Sequence, residues 1–244
     1  MERRAIGEHL EELRARLWWS VVALAASMTV ALVFHRTLLE IVTLPHYRAR
    51  FFFDVPPSPW QFIAKSHVGY ILSMTKLAFA VGLFVASPVI GWQAWRFVAT
   101  GLYAHERRAA GSFAVTSFLL FVLGVATGYF HLVPVTLYGM ARMLPLDQVA
   151  AVFDISEYMD LVLTMTVVLG ALFQLPLAMA FLSRIGLVPA RAWGRARRHA
   201  VVANVAVAAF LSPPDPLSMA VYAVPLVGLY EAGILSARWV RPDA

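Results

Sequence analysis

The sequence predicts an all-α integral membrane protein: a bundle of six transmembrane helices with short fifth and sixth spans and both termini in the cytoplasm. Of its 244 residues, 60% are hydrophobic and only 14% are charged, with a mean hydropathy of +0.71. Soluble domains usually carry about a quarter charged residues. The apolar residues form continuous runs instead of the alternating pattern of barrel strands, so we expect helices.

Six apolar runs define the expected spans within a single domain, residues 1–244. They are residues 17–34, 68–95, 109–140, 158–182, 200–211 and 217–237. The first run has no cleavage pattern, so it is expected to stay as a span, and a long polar loop should follow it. The fifth run would extend roughly 18 Å, against about 30 Å of hydrocarbon. Either the bilayer is thinner there, or a longer tilted helix begins near Trp193.

Basic residues set the expected orientation. With the N-terminus in the cytoplasm, 14 Lys and Arg residues fall on that side and five on the other, while Lys76 lies within the second run. The run "RAWGRARRH" contributes strongly to this bias. By the positive-inside rule, both termini are therefore cytoplasmic, in an inner membrane. The net charge of +6 is spread between apolar runs, so a nucleic-acid partner is not expected.

Acidic residues stand at the foot of the first span, within "GEHLEELRARLWW". Ile6, Leu10, Leu13 and Leu17 follow helical spacing, which predicts an amphipathic helix leading into the span. The acids here could simply pair locally, Glu12 with Arg16 for example, which would contribute only tenths of a kcal/mol. A second cytoplasmic carboxylate, Glu106, follows the second span. Together Glu12 and Glu106 could accept guanidinium hydrogen bonds from an arginine-bearing ligand.

Four motifs in this order resemble the TatC family, the membrane component of the twin-arginine protein translocase: "HLEELRARL", "FVATGLYAHERR", "FQLPLAMAFL" and "LSPPDPLSM". The resemblance implies a receptor for the twin-arginine signal peptides of folded cargo. It also implies small single-span partners of the TatA and TatB type, self-association in a multimeric complex in the lipid bilayer, and transport driven by the proton gradient.

The resemblance also suggests which residues form the peptide site. It places signal-peptide binding at Glu12, Glu106 and Phe97, and we add Arg14 and Leu10 from the same opening motif. Phe97 could equally be an interfacial anchor. Thr100 stands where the family commonly has proline, which affects the shape of the loop before Glu106.

Polar residues inside the spans form a second candidate group for contacts with partner subunits: Gln174, Lys76 and Glu231. Each has a structural alternative, a helix–helix hydrogen bond for Gln174 and snorkelling or pairing for the other two. Pro45 is expected in the outer loop, and Asp215 in the turn before the sixth span, where it could cap that helix.

Enzymatic chemistry is not expected. The chain has no cysteine, no metal-ligand spacing and no catalytic or phosphate-binding motif, so no metal or cofactor is predicted. Two other functions stay open. A small secondary transporter would use the three intramembrane polar residues and should show repeats and broken helices, which the sequence does not indicate. A scaffold would bind partners but no peptide.

Overall fold

The fold is almost entirely helical in the computed structural model. It describes residues 2–52, 62–100, 110–143, 153–212 and 216–240 and, within these, the side chains of 10–47, 62–97, 111–140, 153–212 and 219–240. The helices are α1 (Glu2–Val33), α2 (His35–Phe52), α3 (His67–Thr100), α4 (Ala110–Thr127), α5 (Val133–Met143), α6 (Ile155–Leu172), α7 (Leu175–Arg184), α8 (Ala190–Arg195), α9 (Arg197–Leu211) and α10 (Pro216–Val240). Two short strands are β1 (Phe62–Ile63) and β2 (Phe153–Asp154).

The predicted spans are found in these helices. Within the described residues, five stretches are long and apolar enough to cross a membrane: Leu10–Val33, His67–Phe97, Gly111–Met140, Ile155–Arg184 and Met219–Val240. The remaining predicted span corresponds to α9, whose 15 residues extend about 22 Å. The fifth helix is therefore short, as expected. By contrast, α10 has 25 residues and is longer than the sequence suggested.

The chain forms two compact units. The first contains Met1–Ile41 and Ser66–Val122, and the second contains Val42–Lys65 and Leu123–Ala244. In the first unit α1 packs along α3 so closely that a Cβ on Gly82 would lie 2.9 Å from the backbone nitrogen of Met28. In the second unit α10 packs against α7 and α9. The buried Tyr222 of α10 donates its hydroxyl to Met165 Sδ at 3.3 Å.

The prediction of a polar loop after the first span is wrong for the first part of that segment, because residues 35–52 form α2. Pro45 lies inside this helix and is buried, so it is not a loop residue. Val42, Thr43, Pro45 and His46 form a buried face with helical spacing, which explains why this segment is helical despite its charges.

Two proline-containing spans are interrupted. The third span contains a π-helical turn at Gly128–Leu132, just before Pro134, where the amide of Val133 donates to Gly128 O. The fourth span breaks at Phe173–Gln174, so the expected continuous helix over 158–182 is corrected to α6 and α7. A proline lacks the amide for a helical hydrogen bond and its ring collides with the preceding turn. Pro176 therefore sits in the first turn of α7.

A short parallel pairing joins distant parts of the second unit, with Phe62 opposite Phe153 and Ile63 opposite Asp154. Asp154 caps α6 by accepting from the amide of Ser156 at 2.7 Å, and it also accepts from the amide of Lys65 at 3.3 Å. The Lys65 ammonium lies 3.0 Å from a carboxylate oxygen of Glu157. Burial alone would raise the pKa of Asp154, but the backbone hydrogen bonds outweigh it and hold the pKa below its ordinary value.

This cap makes the stability of the folded chain depend on pH. Because the folded pKa of Asp154 lies below the ordinary value of 3.8, the folded chain binds this proton less tightly than the unfolded chain. The stabilisation is complete above about pH 4 and is lost as the pH falls through the folded pKa. We expect Asp154→Asn, which keeps the capping oxygen, to unfold at a lower temperature than the wild type at pH 6. The gap between the two should shrink at pH 3, and a constant or widening gap would contradict this assignment.

Candidate functional site

The acidic foot of the first span lies on an uninterrupted helix. α1 runs from residue 2 to residue 33, so the opening motif and the span that follows it form one continuous helix. Leu, Glu, Arg and Ala, all strong helix formers, dominate the motif "HLEELRARL", and α1 contains no proline. The expected helical lead-in is therefore confirmed as the first part of α1. Its amphipathic character stays a prediction, because the side chains of residues 2–9 are outside the described part.

Glu12 is paired with a guanidinium of its own helix. Arg16 donates from Nε to Glu12 Oε1 at 3.1 Å, and its Nη2 contacts the same oxygen. Arg16 also donates from Nη1 to Gln93 Oε1 on α3 at 3.3 Å. The side chains of Arg16 and Glu12 are 16% and 30% exposed, so the pair is half-buried against α3. The local pairing that the sequence left open thus exists, and it links the foot of α1 to the end of α3.

Leu10 and Arg14 lie on a different face of α1 from Glu12. They line a groove of about 850 Å³ along the helix, with Leu13, Leu17, Trp18 and Val21 among the other lining residues. Leu17 and Trp18 are more than half exposed. The structure therefore does not gather these three predicted residues at one point: Glu12 points towards α3, and Leu10 and Arg14 line an exposed apolar groove.

The second carboxylate, Glu106, lies outside the described residues, as does Thr100's side chain. The two ends of the connection between α3 and α4 are nevertheless described. Phe97 is half-buried near the end of α3, and Trp95 stacks on Phe113 of α4 with ring centroids 4.9 Å apart. This aromatic pair, which sequence reasoning missed, holds together the two helices that flank the loop. Its only sequence signal is an aromatic residue near each end of the loop.

The three intramembrane polar residues occupy different settings. Gln174 sits at the break between α6 and α7, where its backbone N–H donates to Ala171 O at 3.0 Å. Glu231 of α10 accepts from Arg197 of α9 at 2.7 Å, so the pairing alternative is the one observed. Lys76 is exposed on α3, in the first unit, whereas the other two belong to the second. The outer-turn residue Asp215 lies outside the described residues.

The helix break at Gln174 is braced by α10. Ser236 donates to Pro176 O at 3.1 Å, and a Cβ on Gly233 would lie 3.4 Å from Pro176 Cα. Met179, Tyr230 and Ile234 form a buried cluster beside this contact. The carbonyl of Pro176, in the first turn of α7, thus accepts a hydrogen bond from the neighbouring helix, which ties α10 to the segment that follows the break.

Comparison with known proteins decides the family. Residues 8–225 match the family described as Sec-independent protein translocase protein (TatC). The chain belongs to the TatC family. Among curated relatives, TatC of Deinococcus radiodurans is 35% identical over 96% of this chain and 86% of its own length. TatC of Escherichia coli is 30% identical over 95% of this chain and 87% of its own length.

A solved structure supports the same assignment. The crystal structure of a twin-arginine translocase receptor, TatC, superposes with a TM-score of 0.80 at 29% identity, covering 95% of this chain and 99% of that one. This TatC-family chain is thus a multi-pass membrane component of Sec-independent protein translocation. The family match includes every predicted site residue except Glu231. The transporter alternative gains no support from any of these similarities.

Proposed function

We propose that this chain is the receptor subunit that binds twin-arginine signal peptides at the cytoplasmic face of the inner membrane. Glu12 and Glu106 supply the negative charge for the peptide guanidinium groups, and Phe97 contributes an apolar contact. The observation that carries the proposal is the setting of Glu12, a half-buried carboxylate at the foot of the first span that already accepts hydrogen bonds from a guanidinium.

The chemistry of the Glu12 site suits arginine better than lysine. A guanidinium offers several N–H donors in a fixed plane, and Arg16 uses two of them on Glu12 and a third on Gln93. A peptide arginine that reaches Glu12 can share the carboxylate with Arg16 or replace it, and Gln93 provides a further acceptor. An ammonium is a compact charge and matches this planar arrangement poorly. Leu10 and Arg14 would then contact the following part of the peptide along their groove.

The same proposal assigns the other expected partners. Small single-span subunits of the TatA and TatB type pack against the short α9 and the Gln174 region, several copies of the receptor associate, and folded cargo crosses at the expense of the proton gradient. Support comes from family membership and from the length of α9, which is about 8 Å shorter than the hydrocarbon core. Both termini are cytoplasmic in this arrangement.

Peptide binding to the purified chain in detergent tests the receptor role. We expect Glu12→Gln and Glu106→Gln each to weaken binding of a labelled twin-arginine peptide about tenfold or more, since hydrogen bonds between charged groups contribute about 1.5–3 kcal/mol. Replacing both peptide arginines by lysine should weaken binding similarly. Glu40→Gln is the control, because Glu40 is an exposed acid on α2 that belongs neither to the Glu12 site nor to the groove.

A double variant separates two causes of weakened binding. Glu12→Gln removes an acceptor and also releases Arg16, whose charge could repel the peptide. If the carboxylate itself binds the peptide, Glu12→Gln combined with Arg16→Gln should bind as weakly as Glu12→Gln alone. Recovery of wild-type affinity in the double variant, or unchanged affinity in all the single variants and with the lysine peptide, would defeat the proposed site.

A further inference from the structure

One end of the second unit is rich in arginine. Between residues 175 and 240 the described residues include six arginines and a single acid, Glu231: the arginines are Arg184, Arg191, Arg195, Arg197, Arg198 and Arg238. Glu231 is engaged by Arg197 at 2.7 Å. The spans Ile155–Arg184 and Met219–Val240 both end here, so these charges lie where two membrane helices reach the water boundary.

Four of these arginines converge on one surface. Arg191, Arg195 and Arg198 are exposed and spaced i, i+4 and i+7, which places them on one helical face. The turn between α8 and α9 preserves this alignment, because the amide of Ala196 donates to Ala192 O at 3.0 Å and Ala196 keeps helical angles. From α10, Arg238 Nη2 reaches to 3.9 Å from the position that a Cβ on Gly194 would take. We call Arg191, Arg195, Arg198 and Arg238 the arginine surface.

Two hydrogen bonds hold α8, which carries Arg191 and Arg195 of the arginine surface, in place. Trp193 of α8 donates from Nε1 to Ser183 Oγ on α7 at 3.0 Å, and its carbonyl accepts from the Tyr230 hydroxyl of α10 at 2.8 Å. These two bonds fix α8 to the ends of two membrane spans. Like charges four residues apart on a helix repel each other. Four exposed guanidinium groups carried by helices that are fixed in this way therefore favour an anion with several acceptor oxygens.

We propose that the arginine surface binds the phosphodiester headgroup of an anionic phospholipid. Guanidinium groups bind phosphate oxygens with paired hydrogen bonds, and basic pockets at the ends of membrane helices suit lipid headgroups. Exposed apolar side chains lie close to these arginines along the chain and would contact acyl chains: Trp239, Leu187 and Leu235 are 87%, 69% and 57% exposed. The positive-inside rule explains why these arginines are on this side of the membrane, but it does not require Arg238 of α10 to reach α8 at Gly194.

Native mass spectrometry of the full chain in detergent measures this binding directly. Added phosphatidylglycerol should bind the wild type at one strong site, and phosphatidylcholine should not. Arg195→Gln and Arg238→Gln should each lower the affinity for phosphatidylglycerol about fivefold, the contribution of one cation at an anionic headgroup. Arg195→Lys keeps the charge and should lose less, which also covers the case in which the glutamine variant folds poorly. Arg36→Gln is the matched control, since Arg36 is an exposed arginine at the start of α2.

Four results would overturn the proposal. The first is equal binding of phosphatidylcholine and phosphatidylglycerol, and the second is a loss of phosphatidylglycerol affinity in Arg36→Gln as large as in Arg195→Gln. The third is that inorganic phosphate, at the same concentration as the lipid, saturates the site. The fourth is that a polyglutamate peptide binds in preference to the lipid. The third would indicate a site for free anions, and the fourth a site for an acidic protein. Because no residue of the arginine surface belongs to the proposed peptide site, the two proposals can fail separately.

Discussion

Replacing Gly124 by alanine is expected to destabilise the chain, although alanine is the better helix former. A Cβ at Gly124 would lie 2.7 Å from Leu169 O, 2.9 Å from Gly170 Cα and 2.9 Å from Phe173 Cβ. Two of these atoms belong to the backbone of α6, so no side chain can rotate away and the helices must separate. Gly128 follows one turn later, with its own Cβ position 3.0 Å from Thr166 Cα. Small residues spaced in this way let membrane helices approach closely.

The expected size of the effect follows from two opposing contributions. Overpacking costs about 1–3 kcal/mol, whereas exchanging glycine for alanine inside a helix returns up to about 1 kcal/mol. Gly228 in α10 is the matched control, because a Cβ there would have no atom within 4 Å. Gly228→Ala should therefore be neutral or stabilising. Since the gain in helix propensity is common to both variants, they should differ by the overpacking cost, about 1–3 kcal/mol.

Thermal unfolding in one detergent, followed by fluorescence of the seven tryptophans, would measure this difference. For a chain of this size, we expect Gly124→Ala to unfold about 2–12 °C below Gly228→Ala. A melting temperature for Gly124→Ala equal to or above that of Gly228→Ala would show that α4 and α6 do not depend on this close approach.

The spans themselves could be predicted because the length of an apolar run is a direct consequence of bilayer thickness. The sequence also predicted the short fifth helix, since "SPPDP" closes the apolar run after Leu211. The breaks were harder to predict. Apolar residues continue on both sides of Gln174, and only Pro176, two residues later, signals that the helix must restart there.

Long-range contacts could not be predicted from the sequence, for a different reason. The paired strands have two residues each and lie about 90 positions apart, too short for any alternation to be recognised. Arg16 was assigned a local partner, but nothing in the motif indicated that it also reaches Gln93 on α3. In α2 the helical spacing was present, but Pro45 and the neighbouring charges favoured a loop. Such choices are made by packing between distant segments, which one sequence does not reveal.

Tyr158 is expected to be the main attachment of the later part of α2, from Val42 onward, to the rest of the second unit. Its side chain is only 3% exposed, and its hydroxyl donates to Val42 O, 116 residues away in the sequence, at 2.9 Å. Its ring lies 5.0 Å from that of Phe62 and 5.7 Å from that of His46. One side chain thus connects α6, α2 and the segment that contains β1.

Two substitutions separate the ring of Tyr158 from its hydroxyl. Tyr158→Phe keeps the ring and leaves Val42 O without this donor, so it should cost about 1–2 kcal/mol. Tyr158→Ala also removes the buried ring and should cost about 3–5 kcal/mol. Tyr47→Ala is the matched control, because Tyr47 also contacts His46, at 5.6 Å, but is 57% exposed. It should cost about 1 kcal/mol or less.

Thermal unfolding should rank these variants as wild type, Tyr47→Ala, Tyr158→Phe and Tyr158→Ala, in order of falling stability. Limited trypsin digestion gives a local measure, since Arg48 and Arg50 lie in the last turns of α2. If Tyr158 holds α2 in place, Tyr158→Ala should be cut at these arginines faster than Tyr47→Ala at temperatures well below global unfolding, because local opening becomes less costly. Equal cutting rates in the two variants, together with equal melting temperatures, would mean that α2 is held by other contacts and that the Tyr158–Val42 bond is incidental.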